Sequence, residues 1–205
     1  MQQAEPNKTS LQQWNRQHWR RVLDMLRNPG HEWEAIAEES ASVMELMSAY
    51  VIPFSVLNAL VIFVGMTYFN SDWDVDFGYR VGEENILAAT LTTFLLSLTS
   101  VLLLAGVFRW VAPMYERRCS YADAMKVAVY GAVPVWLGGM LLLIPLMVMA
   151  AMLMLLISFY YFDLGARKVL HIRSSDSSAF IAISLLLHTF LSMIVGGVLS
   201  ALGLM

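Results

Sequence analysis

Charge is scarce in this chain. Its 13 Lys and Arg and 16 Asp and Glu make up 14% of 205 residues, where soluble proteins carry about 25%. With 58% hydrophobic residues beside that scarcity, the chain falls in the membrane class before any motif is read. The net charge is −3 and there is no dense basic face, which excludes a nucleic-acid partner. A single cysteine, Cys119, excludes an internal disulfide and any multi-cysteine zinc or iron–sulfur site. The first 45 residues lack the apolar core of a cleaved secretion signal, so the first span is expected to direct insertion. No Ser/His/Asp or Cys/His pair has a convincing partner, and no glycine-rich phosphate loop follows a strand. An enzyme is therefore not expected, and no cofactor is implied.

What is present is apolar length. From Val127 to Phe162 there are 36 residues without a charge. As one helix this run would be about 54 Å long, against a bilayer hydrocarbon about 30 Å thick. Folding it back at Pro145 gives Val127–Ile144 and Leu146–Phe162, 18 and 17 residues, each about 26 Å of helix and just enough to cross. Pro145 suits the turn because it has no N–H for a helix interior and pushes its predecessor out of the α region.

The remaining runs complete an all-α, polytopic protein with five transmembrane helices. The expected spans are 46–69, 86–108, 127–144, 146–162 and 179–204, which together form the membrane domain, residues 46–204. Residues 1–45 are expected to form a cytoplasmic tail with short amphipathic helices. One pattern begins at Leu11 and is stopped by Asn28-Pro29-Gly30. A second sets Trp33, Ile36 and Ala37 opposite Glu34, Glu38 and Glu39. Trp14, Trp19 and Trp33 suggest contact with the bilayer surface, whereas the run of glutamates favours packing on the protein itself.

Loop charge gives the orientation. The tail holds five cations (Lys8, Arg16, Arg20, Arg21, Arg27), and the following loops hold one, four, none and three. Lys and Arg collect on the cytoplasmic side, so the N-terminus is expected in the cytoplasm and the C-terminus in the periplasm or outside. Reading the hairpin as one span would put Arg167, Lys168 and Arg173 on the wrong side.

Polar residues at membrane depth are costly and are functional candidates by default. His188 leads, on the i+4 row Ser184, His188, Ser192, Gly196, Ser200, whose small members let another helix approach closely. A structural reading, with the ring bonded to a facing hydroxyl or carbonyl, is the better bet than a proton- or substrate-responsive one. Ala124, Ala128 and Ala132 form a second small row; contact within the chain and contact between subunits both stay open. Pro53 and Asn58 interrupt the first span, and Tyr130, Gly131 and Pro134 the third. Arg109, Lys126 and Asp163 sit at the charged ends of three spans and are expected to form one ion-pair cluster. Met140, Met147, Met149, Met152 and Met154 do not line up as the thioether ladder Cu(I) would need, and Asp72, Asp74 and Asp76 lack the glycine and distal glutamate of a calcium loop. No metal site is expected.

Three stretches resemble bacterial members of the Yip family of membrane proteins: Met25-Leu26-Arg27-Asn28-Pro29-Gly30-His31-Glu32-Trp33, the string from Tyr121 to Leu137, and Tyr160-Tyr161-Phe162-Asp163-Leu164-Gly165. Tyr130-Gly131 followed by Pro134 is similar to the Tyr-Gly then Leu-Pro motif of eukaryotic members, with Val133 where leucine is usual. The eukaryotic cytosolic motif Asp-Leu-Ala-Gly-Pro is absent. The resemblance implies five spans, a cytosolic N-terminus, residence in the bacterial inner membrane, self- or hetero-association there, and a role in membrane organisation or traffic. The leading expectation is thus a non-enzymatic membrane protein whose partners are the bilayer and either its own copies or other membrane proteins. The alternative is a small transporter or channel with a polar midplane near His188; an intramembrane enzyme ranks third.

Overall fold

The computed structural model describes residues 20–68 and 86–201. Trp14, Trp19, the acidic stretch with Asp72, Asp74 and Asp76, and the last residues of the fifth span lie outside the described residues. Among those described there is no strand, and five helices are long and apolar enough to cross a membrane.

The chain enters through α1, which runs through residues 20–27, and turns at Asn28 into α2, Pro29–Glu38. Proline at the first helical position costs nothing there, because its missing N–H would have no intrahelical partner. The motif that stops one helix therefore starts the next. α2 buries Trp33 and Ile36 and turns Glu34 and Glu38 outward.

The first span is continuous from Val43 to Thr67. It opens as α3, Val43–Leu46, behind a capping box in which Ser42 and Glu45 satisfy each other's backbone N–H. A π-turn, Met47–Val51, leads into α4, Ile52–Tyr68. The π-turn answers Pro53: widening the helix just before it relieves the clash of the proline ring with the carbonyl four residues back. The second span, α5, Ile86–Val111, runs on through a 3-10 turn, Ala112–Tyr115, and ends where Glu116 adopts a left-handed conformation (φ 58°).

The hairpin consists of α6, Tyr121–Leu141, and α7, Val148–Lys168, joined by a turn that contains the 3-10 segment Pro145–Met147. Ile144 is extended (φ −113°, ψ 113°), as a residue before proline prefers. Both helices are offset from expectation. α6 starts six residues earlier than Val127 and α7 continues six beyond Phe162. Asp123, Lys126, Asp163 and Arg167 stay helical because each finds a partner in the bundle; a charge ends contact with lipid without ending a helix. The last span, α8, is Ser177–Ala201.

α6 is the central helix. Two thirds of its apolar window (67%) is buried, against 22 to 28% for the other four. It lies between α7 on one side and α4 and α5 on the other, while α8 packs on α5 and α7. Glycines permit this closeness: the Phe162 ring of α7 occupies the space a Cβ would need at Gly131, and a Cβ at Gly138 would lie 2.9 Å from that of Met154. Gly139 is covered by Asn58 of α4, whose Oδ1 would stand 2.7 Å from an added Cβ.

Candidate functional site

The two proline-altered helices meet at one place. Tyr50 lies in the π-turn before Pro53, and Tyr130 lies one turn before Pro134, where the missing N–H leaves the Tyr130 carbonyl without its helical donor. The two rings pack edge to face with centroids 5.0 Å apart, and Trp33 of α2 closes on Tyr130 at 6.2 Å and 82°. All three are nearly fully buried. Just below, Phe54 stacks on Trp136 at 4.8 Å. Ser158 of α7 donates to the Gly131 carbonyl, tying the hairpin together beside the proline.

α1 and α2 cap this aromatic cluster. Trp33 fits a notch left by Gly165 of α7, where a Cβ would come within 2.6 Å of the indole. Tyr161 donates its hydroxyl to the Met25 carbonyl at 2.7 Å, and Lys168 bonds Glu34 at 2.7 Å. Arg21 is paired with Glu39, stands 3.5 Å from Glu32, and reaches the Tyr130 hydroxyl. The hydrogen-bonded Glu39 carboxylate raises the Arg21 pKa further above its already high value, so the guanidinium stays charged despite burial.

Lys126 belongs to the same end. It is 4% exposed, and its ammonium donates to the Glu39 carbonyl at 2.5 Å and to Asp123 at 3.3 Å. The single cluster expected of Arg109, Lys126 and Asp163 does not form. Asp163 instead accepts from Arg167 and Ser177, each at 2.6 Å, and fastens α7 to α8; Arg109 is exposed. Lys126 and Asp163 each pair with a charge one turn away on their own helix, Asp123 and Arg167. Trp33 is also corrected: it is buried in protein and does not lie at the bilayer surface. Cys119 is half-buried, and desolvation pushes its thiol up, away from a reactive thiolate.

The second polar group lies deep among the apolar helices. Ser55 of α4 donates to Ser97 of α5 at 2.8 Å, and Ser100 of α5 meets His188 Nε2 of α8 at 3.1 Å. His188 Nδ1 and the hydroxyls of Ser184 and Ser192 are buried without a hydrogen-bond partner among the described residues. Gly196 is buried on the same row. One nitrogen of His188 is thus joined to the Ser100 hydroxyl, while the other and both flanking serines are unpaired among the described residues. Tyr130, Gly131, Pro134, Pro53 and Asn58 gather around α6; His188, Ser184, Ser192 and Gly196 form the separate α5–α8 seam; Pro145 lies at the hairpin turn.

Sequence reasoning missed Tyr50, Arg21, Ser158 and Tyr161. For Tyr50 a signal existed, since Tyr50 before Pro53 repeats the spacing of Tyr130 before Pro134 to within one residue. Arg21 and Tyr161 gave none, because their partners are 18 and 136 residues away.

Residues 23–196 match the family model described as the Yip1 domain. Two curated relatives are each 26% identical over 170 residues, 78% of this chain and 83% of theirs: the inner membrane protein YohC of Escherichia coli strain K12 and that of Escherichia coli O6:H1. No solved structure matches significantly.

Proposed function

Since the chain belongs to the Yip1 domain family and is an integral membrane protein, we propose that it works by contact and performs no chemistry: it associates through its helices within the inner membrane, binds a membrane-protein partner at its capped end, and so serves membrane organisation. The observation that carries this reading is the construction of the cap. α1 and α2 are fixed to α6 and α7 by Tyr161, Lys126, Lys168 and Trp33. Their outer face presents exposed Leu23 and Leu26 among Arg20, Asp24 and Arg27. A mixed apolar and charged surface held rigidly costs a partner little ordering entropy on binding. The Lys and Arg of the tail and of the loops at this end support a cytoplasmic position for it.

Photo-crosslinkers introduced in cells at Leu23 and Arg27, with Leu186 on α8 as the comparison, test the reading. Discrete adducts at the cap positions, absent at Leu186, are expected; the same diffuse pattern at all three would overturn it. Reporter fusions at the two ends check the orientation, with a cytoplasmic N-terminus and an external C-terminus expected.

The unpaired polar row at His188 favours a second reading, a small transporter or channel, since polar groups at mid-depth are what transport sites use. Proteoliposome flux lost in His188→Ala would support it over the contact reading.

A further inference from the structure

Between α5 and α8 lies a cavity of about 260 Å³, open on the outer side of the bundle. Ser100, Ser192 and Gly196 line it together with Thr99, Thr189 and Met193. The two threonine hydroxyls are occupied, each bonded back to its own helix, Thr99 to Leu95 and Thr189 to Leu185. Ser192 makes no such bond, and its hydroxyl is buried without a partner among the described residues. Behind the cavity, Ser100 is joined to His188, whose other ring nitrogen is equally unpaired. A buried polar atom left without a hydrogen bond inside an apolar protein keeps its full desolvation penalty. The Ser192 hydroxyl in the cavity wall, with the Ser100–His188 pair next to it, describes a site whose hydrogen bonds are completed by something else.

We propose that this groove binds, from the surrounding lipid, a long-chain molecule with an uncharged hydrogen-bonding head, a hydroxyl or a carbonyl, which bonds Ser192 and the Ser100–His188 pair. The head is uncharged because no Asp, Glu, Lys or Arg lines the cavity and a charge at this depth is expensive. The ligand comes from lipid because the mouth is rimmed by outward-facing side chains, Met193 being 68% exposed. It carries a chain because the cavity is small beside ordinary ligand pockets of about 300–1,000 Å³, so the rest of the molecule lies along the groove between Leu96 and Val195. This site is separate from the capped end and does not rest on the partner reading above.

The test uses the full chain in vesicles of phosphatidylethanolamine and phosphatidylglycerol and a fatty alcohol bearing a diazirine next to its hydroxyl. Labelling is expected to concentrate on α5 and α8 around Ser100 and Ser192, and to be displaced by unlabelled fatty alcohol but not by an alkane of the same length. Ser192→Ala is expected to weaken labelling about fivefold, the equivalent of one hydrogen bond. Gly196→Leu, which fills the groove, is expected to abolish it, while Leu153→Ala on α7 leaves it unchanged. Label spread evenly over Leu153 and Leu186, displacement by the alkane, or full labelling in Ser192→Ala would each overturn the proposal. So would cross-links joining two copies at Met193 with no lipid label, since the groove would then be an interface between chains.

Discussion

Leu156 and Tyr161 lie on the same helix, little more than one turn apart, in opposite surroundings. Leu156 is 69% exposed, whereas Tyr161 is 3% exposed and bonded through its hydroxyl to a backbone carbonyl of α1. The contrast extends to the two ends of the bundle. At the capped end Phe108 packs on both Phe162 and Phe180, Trp33 on Tyr130, and cations are matched across elements. Toward the hairpin turn, Met149, Met152, Leu153 and Leu186 face outward, and the Ser184 and Ser192 hydroxyls of the α5–α8 seam are buried without a partner among the described residues. Water explains the difference. An end that reaches the aqueous boundary gains from burying apolar surface and must satisfy its charges; within lipid there is no hydrophobic drive between helices, and van der Waals fit and interhelical hydrogen bonds are what remain.

The two ends differ most at Trp33. Trp33→Ala empties a fully buried site against Gly165 and is expected to cost about 3–5 kcal/mol. Leu156→Ala, on an outward position of α7, is expected to stay within about 0.5 kcal/mol. Thermal unfolding in detergent, followed by the fraction still monodisperse, checks both; equal losses would mean that the two ends are packed alike.

Two glycines differ in the same way. Gly131→Ala drives a methyl group into the Phe162 ring and is expected to lose about 1–3 kcal/mol by overpacking. Gly197→Ala meets nothing within 4 Å and is expected to gain about 0.5–1 kcal/mol from helix propensity. The same substitution thus has opposite signs in two spans, readable as opposite shifts in melting temperature.

The same physics decides what the sequence could reveal. Five spans were legible because about 20 apolar residues are needed to cross lipid and uncharged runs have few other uses. The α6–α7 hairpin was legible because Val127–Phe162 is too long to cross once and Pro145 can turn it. The depth of α6 was not, since Gly131, Gly138 and Gly139 read as punctuation until Phe162, Met154 and Asn58 are seen resting on them. The charge pairing was misjudged for a related reason. Arg109, Lys126 and Asp163 all stand at charged span ends, but that shared position does not say that Lys126 and Asp163 pair instead within their own helices, with Asp123 and Arg167.

Hydrogen bonds give smaller effects. Tyr161→Phe leaves the buried Met25 carbonyl without its donor and is expected to cost about 1–2 kcal/mol. In the interior, Ser55→Ala and Ser97→Ala form a double-mutant cycle whose coupling is expected near 0.6 kcal/mol, about the average for such bonds between membrane helices. A Ser55–Ser97 coupling larger than the Tyr161 effect would show that the interior relies on hydrogen bonds more than the cap does.

The smallest effect lies on the outer surface of the cap. The hydrogen bond from Lys168, and then its charge, hold the exposed Glu34 carboxylate below its usual pKa. Glu34 therefore binds its proton less readily in the folded protein than in the unfolded chain. Its contribution is complete above the unfolded glutamate value of about 4.3 and is lost as pH falls through the lower folded value. Both side chains are largely in water, so the contribution is slight and screened by salt. Wild type is expected to melt marginally above Glu34→Gln at neutral pH, with the gap closing in acid and narrowing in high salt. A gap that persists in acid would mean that Glu34 holds α2 to α7 through packing of its stem, which would place even the outer surface of the cap in its tightly built half.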